Sequence, residues 1–248
     1  LSLTLQRVQR TFEGVVTIYG TVQNEDELRL HEKDLVITGA HVNGREVAFR
    51  SDENDELVLE YKGLTDEEVA IVISFSGTIT DQMHGMYPCY FEHGGVKKEL
   101  LATQFESHHA REVFPCIDEP EAKATFDVVL TTEKNLQVLG NMPVASQHEE
   151  AEYLVTTFKR TPIMSSYLLA WVVGDLHKKS ATTKSGVEVN VWATPAQAPE
   201  TLDFAVDIGV KVIEFYDEYF GVPYPLSKAD HVALPDFSSG AMENWGLI

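Results

Sequence analysis

Hydrophobic and polar residues alternate with a period of two along most of the first 194 positions. Leu1, Leu3 and Leu5 fall on one face of an extended segment, and the valines within residues 187–191 repeat the pattern. Because successive side chains of a β-strand point to opposite faces, this spacing predicts strands. Further strands are predicted at Thr11–Gln23, Leu57–Tyr61, Val69–Phe75, Ala124–Thr131, Tyr153–Lys159 and Ser165–Leu176. Many short strands without helical patterns between them predict a mainly β fold, an antiparallel sandwich or saddle-shaped sheet.

The spacing becomes helical after position 194. Pro195 ends the last predicted strand, and Pro199 suits the first position of a helix. Apolar residues then recur at helical spacing before Gly221, at Leu202, Ala205, Val206, Ile213, Tyr216 and Phe220. We therefore expect a helix over residues 199–220 whose apolar face rests on the β-rich region or on a neighbouring chain.

This change of pattern also predicts a domain boundary. Residues 1–194 are expected to form a β-rich domain. Residues 195–248 are too few to enclose a hydrophobic core without help, so we expect them to be the incomplete start of a second domain.

Composition limits the partners of the chain. Its 39 acidic and 19 basic side chains give a formal net charge of −20, which opposes binding to nucleic acid or anionic lipid. No apolar run approaches the roughly 20 residues that a membrane-spanning helix needs, so no membrane partner is expected. Cys89 and Cys116 are the only thiols and no Asn-x-Ser/Thr site occurs, which favours a cytoplasmic location and reduced cysteines, with one disulfide left as the alternative.

Three segments carry the candidate chemistry. Residues 240–246 read Gly-Ala-Met-Glu-Asn-Trp-Gly, residues 103–106 read Thr-Gln-Phe-Glu and precede the run Ala110–Phe126, and residues 83–87 read Met-His-Gly-Met-Tyr. In this order the segments resemble the signature elements of the M1 (gluzincin) zinc aminopeptidases. The resemblance extends over much of the chain, including the Tyr219–Pro225 turn before the last motif.

The resemblance implies a binding site for the free N-terminus of a peptide. Glu243 and Glu106 would be the two carboxylates that hold the substrate α-ammonium, a group with a reference pKa of about 7.7–8.0. Gln104 would line the first substrate pocket, and Gly240 and Ala241 would run beside the substrate backbone, where small side chains permit close approach. The predicted substrate-binding residues are Gln104, Glu106, Gly240, Ala241, Met242, Glu243 and Asn244.

The first side-chain pocket is expected to be apolar. Its candidate residues are Met86, Tyr87 and Phe105. After Tyr87 the chain reads Pro88-Cys89, where the family usually has Arg-Ser, and this departure leaves the residue preference of the pocket open.

The metal half of such an enzyme is not expected in this chain. The resemblance implies a thermolysin-like α+β catalytic domain that begins near residue 195 and holds one zinc ion through a His-Glu-x-x-His helix downstream of Ile248. The look-alikes at His31-Glu32 and His148-Glu149 lack the second histidine four positions on. We therefore predict no metal ligands or catalytic residues here, no zinc bound by the chain, and no activity without the C-terminal catalytic region. The partners would be peptides with a free N-terminus.

Two other functions remain as alternatives. One is the leukotriene hydrolase branch of the family, whose corresponding loop usually starts Gly-Gly, so Ala241 argues against it. The other is a non-catalytic peptide-binding or scaffold module of the same fold. A histidine-assisted thiol nucleophile, with His84 and His93 flanking Cys89, is considered less plausible than a structural role for these residues.

Overall fold

The computed structural model describes residues 1–22, 27–61 and 67–248, and β-strands dominate it. The strands are β1 Ser2–Gln6, β2 Thr11–Val22, β3 Leu28–His31, β4 Val36–Val42, β5 Arg45–Glu46, β6 Phe49–Ser51, β7 Glu56–Leu59, β8 Glu67–Thr78, β9 Gly85–His93, β10 Val96–Gln104, β11 Val129–Glu133, β12 Gln137–Gly140, β13 Val144–Glu150, β14 Tyr153–Phe158, β15 Trp171–Gly174, β16 His177–Thr182, β17 Glu188–Ala193 and β18 Lys228–Val232. The α-helix is α1 Asp203–Phe220, and 3₁₀ turns lie at Ala110–Glu112, Ser166–Leu168 and Pro199–Leu202.

The strands form four sheets. The largest has the order β13-β14-β11-β1-β2-β8-β4-β5, and the others are β12-β15-β10-β9, β16-β17-β18 and β3-β7-β6. The predicted mainly β, antiparallel architecture is confirmed, with two parallel pairs as exceptions, β1 with β11 and β17 with β18. The strands of a parallel pair lie far apart in sequence because a short hairpin cannot join them.

The main hydrophobic core joins three of these sheets. Leu3 of β1 and Ile73 of β8 come from the eight-stranded sheet, Leu57 from the β3-β7-β6 sheet, and Trp171 from the four-stranded sheet. All four side chains are buried. Leu3 and Leu5 point inward while their neighbours are less buried, so the alternation predicted for β1 is observed.

Two predicted strands have a boundary that differs from the structure by more than three residues. The segment Ser165–Leu176 contains the 3₁₀ turn Ser166–Leu168 and only the short strand β15. Two of the three residues in the turn are buried. In sequence, a short buried turn resembles a buried strand, so the prediction extended the strand across it. The strand predicted from Ala124 begins at Val129, and Ala124 forms only an isolated bridge with Met164. The predicted end of β2 at Gln23 lies outside the described residues.

The predicted helix is present and ends where expected. A 3₁₀ turn at Pro199–Leu202 leads into α1, and Gly221 stops the helix with a φ of 65°, a left-handed conformation that glycine adopts without strain. Leu202 and Val206 pack against Val191 and Ala193 of β17.

The apolar face of α1 is covered less than expected. Phe204, Tyr219 and Phe220 are 75%, 70% and 66% exposed. Of the residues in α1, only Val206 is buried. The helix therefore rests on the β16-β17-β18 sheet through one edge of its apolar surface.

Strand pairing crosses the predicted domain boundary at residue 194. β17 precedes the boundary and β18 follows it, and the two pair in parallel from Glu188 with Lys228 to Trp192 with Val232. The β16-β17-β18 sheet is thus built from both sides of the boundary. The division into residues 1–194 and 195–248 stays a prediction.

A buried carboxylate braces the segment after Glu106. Asp118 is 2% exposed. It accepts hydrogen bonds from the backbone N–H and the Nε of Arg111, both at 3.2 Å, and from Ser166 Oγ at 2.6 Å. A buried charge needs such partners because it has lost its water shell. Asp118 therefore ties the turn at Ala110–Glu112 to the turn at Ser166–Leu168, as a structural role for this motif residue requires.

Replacing this carboxylate should destabilise the fold strongly. Asp118→Asn leaves the guanidinium of Arg111 without its counter-charge, and we expect the free energy of unfolding to fall by about 3 kcal/mol in urea titrations. Asp127→Asn is the matched control, because the Asp127–Arg160 pair is exposed and should change stability by less than about 1 kcal/mol. Equal losses for the two variants would contradict the bracing role.

Candidate functional site

The hairpin of β9 and β10 brings two of the sequence motifs together. In its register Met86 pairs with Thr103 and Gly85 with Gln104. Gln104 is the last residue of β10, and Glu106 follows in the loop with its side chain exposed. The strand pairing therefore places residues 85–87 beside residues 102–104, as neighbours in one substrate site would have to be.

The third motif is an extended loop near the end of the chain. Met242 and Asn244 are buried, whereas Ala241 and Glu243 are exposed. This alternation is typical of extended backbone, in which neighbouring side chains point to opposite sides. The carboxylate of Glu243 consequently lies on the solvent side of the loop.

A buried contact joins the hairpin to this loop. Gln104 Nε2 donates a hydrogen bond to Met242 Sδ at 3.4 Å, and both residues are 5% exposed. The other end of the amide, Gln104 Oε1, is buried without a hydrogen-bond donor among the described residues. A buried oxygen without a donor is unfavourable.

Asn141 anchors the terminal loop to the β12–β15 region. Its Nδ2 donates to the carbonyl oxygens of Trp245 at 2.9 Å and Leu168 at 2.8 Å, and its Oδ1 accepts from the N–H of Ala170 at 2.8 Å. A single buried amide thus satisfies three backbone groups from two segments, one around Leu168 and Ala170 and the other at Trp245. The position of the loop depends on this side chain.

Lys228 forms the second anchor. Its Nζ donates to Gly140 O at 2.9 Å, Gly246 O at 2.7 Å and Asp230 Oδ2 at 2.7 Å. Burial lowers the pKa of Lys228, and the attraction of Asp230 opposes that shift. Asp230 is itself buried and accepts from Asn190 Nδ2 at 2.7 Å. The loop is therefore fastened to β18 by a buried ion pair whose ammonium uses all three of its hydrogen-bond donors.

An open pocket of about 530 Å³ lies on the other side of the terminal loop. Its wall includes Trp171, His231, Met242 and Asn244, but neither Glu106 nor Glu243. No Asp or Glu side chain lines it, so the pocket offers no side-chain counter-charge for an ammonium group. Four of the predicted substrate-binding residues do line it, namely Gly240, Ala241, Met242 and Asn244. The pocket therefore borders the predicted substrate-binding loop but does not include the two glutamates predicted to bind the amine.

The predicted side-chain pocket residues are all buried in the protein core. Phe105 packs edge to face on Trp171, with ring centroids 5.4 Å apart, and Met86 belongs to the same core cluster. Tyr87 is fully buried and donates from its hydroxyl to Asp236 O at 3.3 Å. None of the three lines the 530 Å³ pocket, and their contact with a substrate side chain stays a prediction.

Cys89 has the environment of a structural residue. It is fully buried, and burial raises the pKa of its thiol to about 12. Its Sγ donates to Asp236 O at 3.2 Å. Because the nucleophilic form of cysteine is the thiolate, this group is unsuited to covalent catalysis at neutral pH. Cys89 and Cys116 are both free thiols, so the disulfide alternative does not occur.

The sequence analysis missed both anchors of the loop. Asn141 contacts Trp245 across more than one hundred residues, and no local spacing marks it. Lys228 and Asp230 offered a weak signal, since two opposite charges at i and i+2 share one face of a strand. Their burial, however, depends on the return of the chain at Gly246.

Comparison with protein families and curated proteins gives consistent matches. Residues 1–168 match the Peptidase M1 N-terminal domain, and residues 204–248 match the Peptidase family M1 domain. The chain is 49% identical to "Aminopeptidase N" of Lactococcus lactis subsp. lactis, covering 100% of the chain and 29% of that protein. It is 40% identical to "Puromycin-sensitive aminopeptidase" of Caenorhabditis elegans, covering 97% of the chain and 26% of that protein. It is 36% identical to "Aminopeptidase M1" of Arabidopsis thaliana, covering 100% of the chain and 30% of that protein. The chain therefore spans under a third of the length of these relatives.

The tight return of the loop should make Gly246 hard to replace. Its φ is +73°, and an added Cβ would lie 2.3 Å from the carbonyl oxygen of Asn141. We expect Gly246→Ala to lower the free energy of unfolding by at least about 2 kcal/mol. Gly240→Ala is the matched control, because a Cβ there meets no atom within 4 Å, and its unfolding curve should stay close to that of the parent chain. Similar unfolding curves for both variants would refute this account of the loop.

His231 should make stability depend on pH. Burial lowers its pKa from 6.5, with a smaller opposing effect of Asp230. The unfolded chain therefore takes up the proton first as pH falls, so the stability contributed by neutral His231 is present above 6.5 and is lost as pH falls below it. Urea unfolding at pH 7.5 and 5.5 should show a smaller acid-induced loss in His231→Asn than in the parent chain. His148 is exposed, so His148→Asn should lose as much stability between pH 7.5 and pH 5.5 as the parent chain does. If His231→Asn also loses as much as the parent chain, His231 is not the source of the pH dependence.

Proposed function

The chain belongs to the M1 peptidase family, and on that basis we propose that it forms the substrate-recognition part of a zinc aminopeptidase, an enzyme that removes residues from the N-termini of peptides. The family matches and the names of the relatives support this proposal. Because the chain spans 29% of its Lactococcus relative, the activity is proposed for the complete protein that contains it. A cytoplasmic location is part of the proposal, supported by the two free cysteines. In the described part of the chain, no helix has the length and hydrophobicity needed to cross a membrane.

The observation that carries the proposal is the hydrogen bond between Gln104 and Met242. It joins the segment that bears Glu106 to the loop that bears Glu243, and both glutamates are exposed. A substrate α-ammonium has three N–H donors. Glu106 and Glu243 would supply two charged acceptors for it.

This arrangement would explain specificity for a free N-terminus. An internal peptide bond carries no positive charge, so its binding would leave two carboxylates close together without a cation. A site built to bind a charged group discriminates strongly against a substrate that lacks it, because its own polar groups then remain unpaired. The exposed backbone at Gly240 and Ala241 would run beside the first residues of the peptide, as one strand lies beside another.

The family implies a zinc ion held through a His-Glu-x-x-His helix, and the residues of this chain do not supply that pattern. Its sequence contains no His-Glu-x-x-His pair. The zinc ligands are therefore proposed to lie elsewhere in the complete protein, and the chain alone is proposed to be inactive. The contribution assigned to this chain is to bind the amine and to fix the direction in which the peptide enters.

Charge removal at the two glutamates tests the proposal in the complete enzyme. Glu106→Gln and Glu243→Gln should each lower kcat/KM for an aminoacyl arylamide by about 10²–10⁴-fold, because each leaves the ammonium with one carboxylate fewer. Metal analysis should show unchanged zinc content. Glu149→Gln is the control, since Glu149 lies on β13, is exposed and should leave kcat/KM unaltered.

Acetylated substrates provide the second arm of this test. The parent enzyme should have a much larger kcat/KM for the substrate with a free amine than for its N-acetyl form. In both variants the ratio of these two kcat/KM values should be smaller. If both variants keep the parent values of kcat/KM and of this ratio, the amine-binding role is wrong. If no form of the complete protein hydrolyses either substrate but the parent protein binds peptides with a free N-terminus, a peptide-binding module is the correct reading.

A further inference from the structure

Two histidines and one glutamate form a cluster on the far side of the Glu106 loop. The histidine–glutamate cluster consists of His84, His109 and Glu112. Glu112 Oε2 lies 2.7 Å from His84 Nδ1, and Glu112 Oε1 lies 2.9 Å from His109 Nδ1. The two imidazole rings stack with centroids 4.1 Å apart. Within residues 1–22, 27–61 and 67–248, this is the only group of at least three His, Cys, Asp or Glu residues whose ligand atoms all lie within 4.8 Å of one another.

The fold assembles the cluster from two separate segments. His109 and Glu112 stand three residues apart around the 3₁₀ turn Ala110–Glu112, a spacing that puts side chains on the same face. His84 arrives from the residues before β9. It can approach because Gly85 has a φ of +64°, and a Cβ at Gly85 would lie 2.9 Å from Glu112 Oε2. The close passage of the backbone over the carboxylate thus requires a glycine.

We propose that the histidine–glutamate cluster binds one divalent transition-metal ion of the zinc type. Two imidazole nitrogens and one carboxylate oxygen are a donor set that Zn²⁺ favours, whereas Ca²⁺ and Mg²⁺ favour oxygen ligands alone. Ligands about 2.0–2.1 Å from a tetrahedral zinc lie roughly 3.3 Å from one another. The present separations of 2.7 and 2.9 Å are therefore short by about half an ångström, a change within the reach of side-chain adjustment.

The exposure of the cluster is suitable for an ion that enters from solvent. The side chains of His84, His109 and Glu112 are 30%, 22% and 15% exposed. Water can therefore supply the remaining ligand. Lys33 Nζ opposes binding, since it lies 4.0 Å from Glu112 Oε1, but its side chain is 40% exposed and can turn towards solvent. Its ammonium would weaken the site without closing it.

The proton positions give the site a chemical signature. A carboxylate can only accept hydrogen bonds, so without metal both rings donate from Nδ1 and keep a lone pair on Nε2. Metal binding at Nδ1 requires that proton to move to Nε2. The Nε2 atoms of His84 and His109 therefore lose their nucleophilic lone pairs when the ion binds.

The site was not expected from the sequence, which predicts no metal ligand in the chain. No spacing rule links His109 to a residue 25 positions earlier in the chain. The proposal is independent of aminopeptidase activity, because it uses neither Glu106 nor Glu243. Bound metal would nevertheless brace the turn that follows Glu106, whose backbone is held by the hydrogen bond from His109 N–H to Phe105 O at 2.9 Å.

Calorimetric titration of the 248-residue chain with ZnCl₂ tests the site. We expect one equivalent to bind, and His84→Ala and Glu112→Gln to raise Kd by at least about 10-fold. His93→Ala is the matched control, since His93 ends the strand that His84 precedes, is exposed and should keep the parent Kd. CaCl₂ and MgCl₂ should give no binding heat. Parent chain that binds no Zn²⁺, or a Kd unchanged in both cluster variants, would overturn the proposal.

A labelling experiment gives an answer that needs no variant. Diethyl pyrocarbonate attacks the lone pair of an imidazole nitrogen, and mass spectrometry locates the modified residues. Zn²⁺ should protect His84 and His109 while the exposed His93 and His148 react as before. If Zn²⁺ leaves the labelling of His84 and His109 unchanged, or protects all four histidines equally, the ion does not bind at the cluster.

Discussion

The ammonium group of Lys228 is buried, and the position of the candidate loop follows from how that charge is satisfied. Its three N–H bonds point to Asp230, to the end of β12 and to the backbone of the terminal loop. A buried cation without such acceptors would be strongly unfavourable. The backbone of Gly246 must therefore return to the same place each time the protein folds. The neutral side chain of Asn141 also fixes the loop, by donating a hydrogen bond to the carbonyl oxygen of Trp245.

These fixed points explain how exposed carboxylates can be held accurately. Phe105 is buried directly before the exposed Glu106, and Met242 and Asn244 are buried on either side of the exposed Glu243. Each candidate carboxylate is thus carried by backbone whose neighbouring side chains are packed in the interior. A binding group supported in this way loses less conformational freedom on meeting its ligand than one on a loose loop.

The sequence predicted those features that depend on neighbouring positions. Alternation marks β1 and β17, and Gly221 marks the end of α1. Alternation did not predict β9, because five consecutive residues from Gly85 are buried and therefore show no alternation. The error at Ser165–Leu176 is the opposite one, because a strand is predicted across residues that form a buried 3₁₀ turn, and such a turn resembles a buried strand in composition.

The candidate site likewise has one part that the sequence predicts and another part that it does not. Its motif residues were recognisable because they occur in short segments that resemble a known family. The groups that hold those segments in place, Asn141 and Lys228, act through contacts between distant parts of the chain. The grouping of His84 with Glu112 likewise depends on how β9 passes the turn at Ala110–Glu112. Spacing rules describe one segment at a time and cannot report such contacts.

The parallel pairing of β1 with β11 has a consequence for synthesis on the ribosome. Leu3 pairs with Gly14 on one side, but on the other side with Leu130, which is translated much later. At about 5–20 residues per second, the second partner follows roughly 6–25 s after the first. One edge of β1 is unpaired during that interval and can serve as a template for wrong partners. The risk of aggregation is therefore greatest before residue 133 has left the exit tunnel.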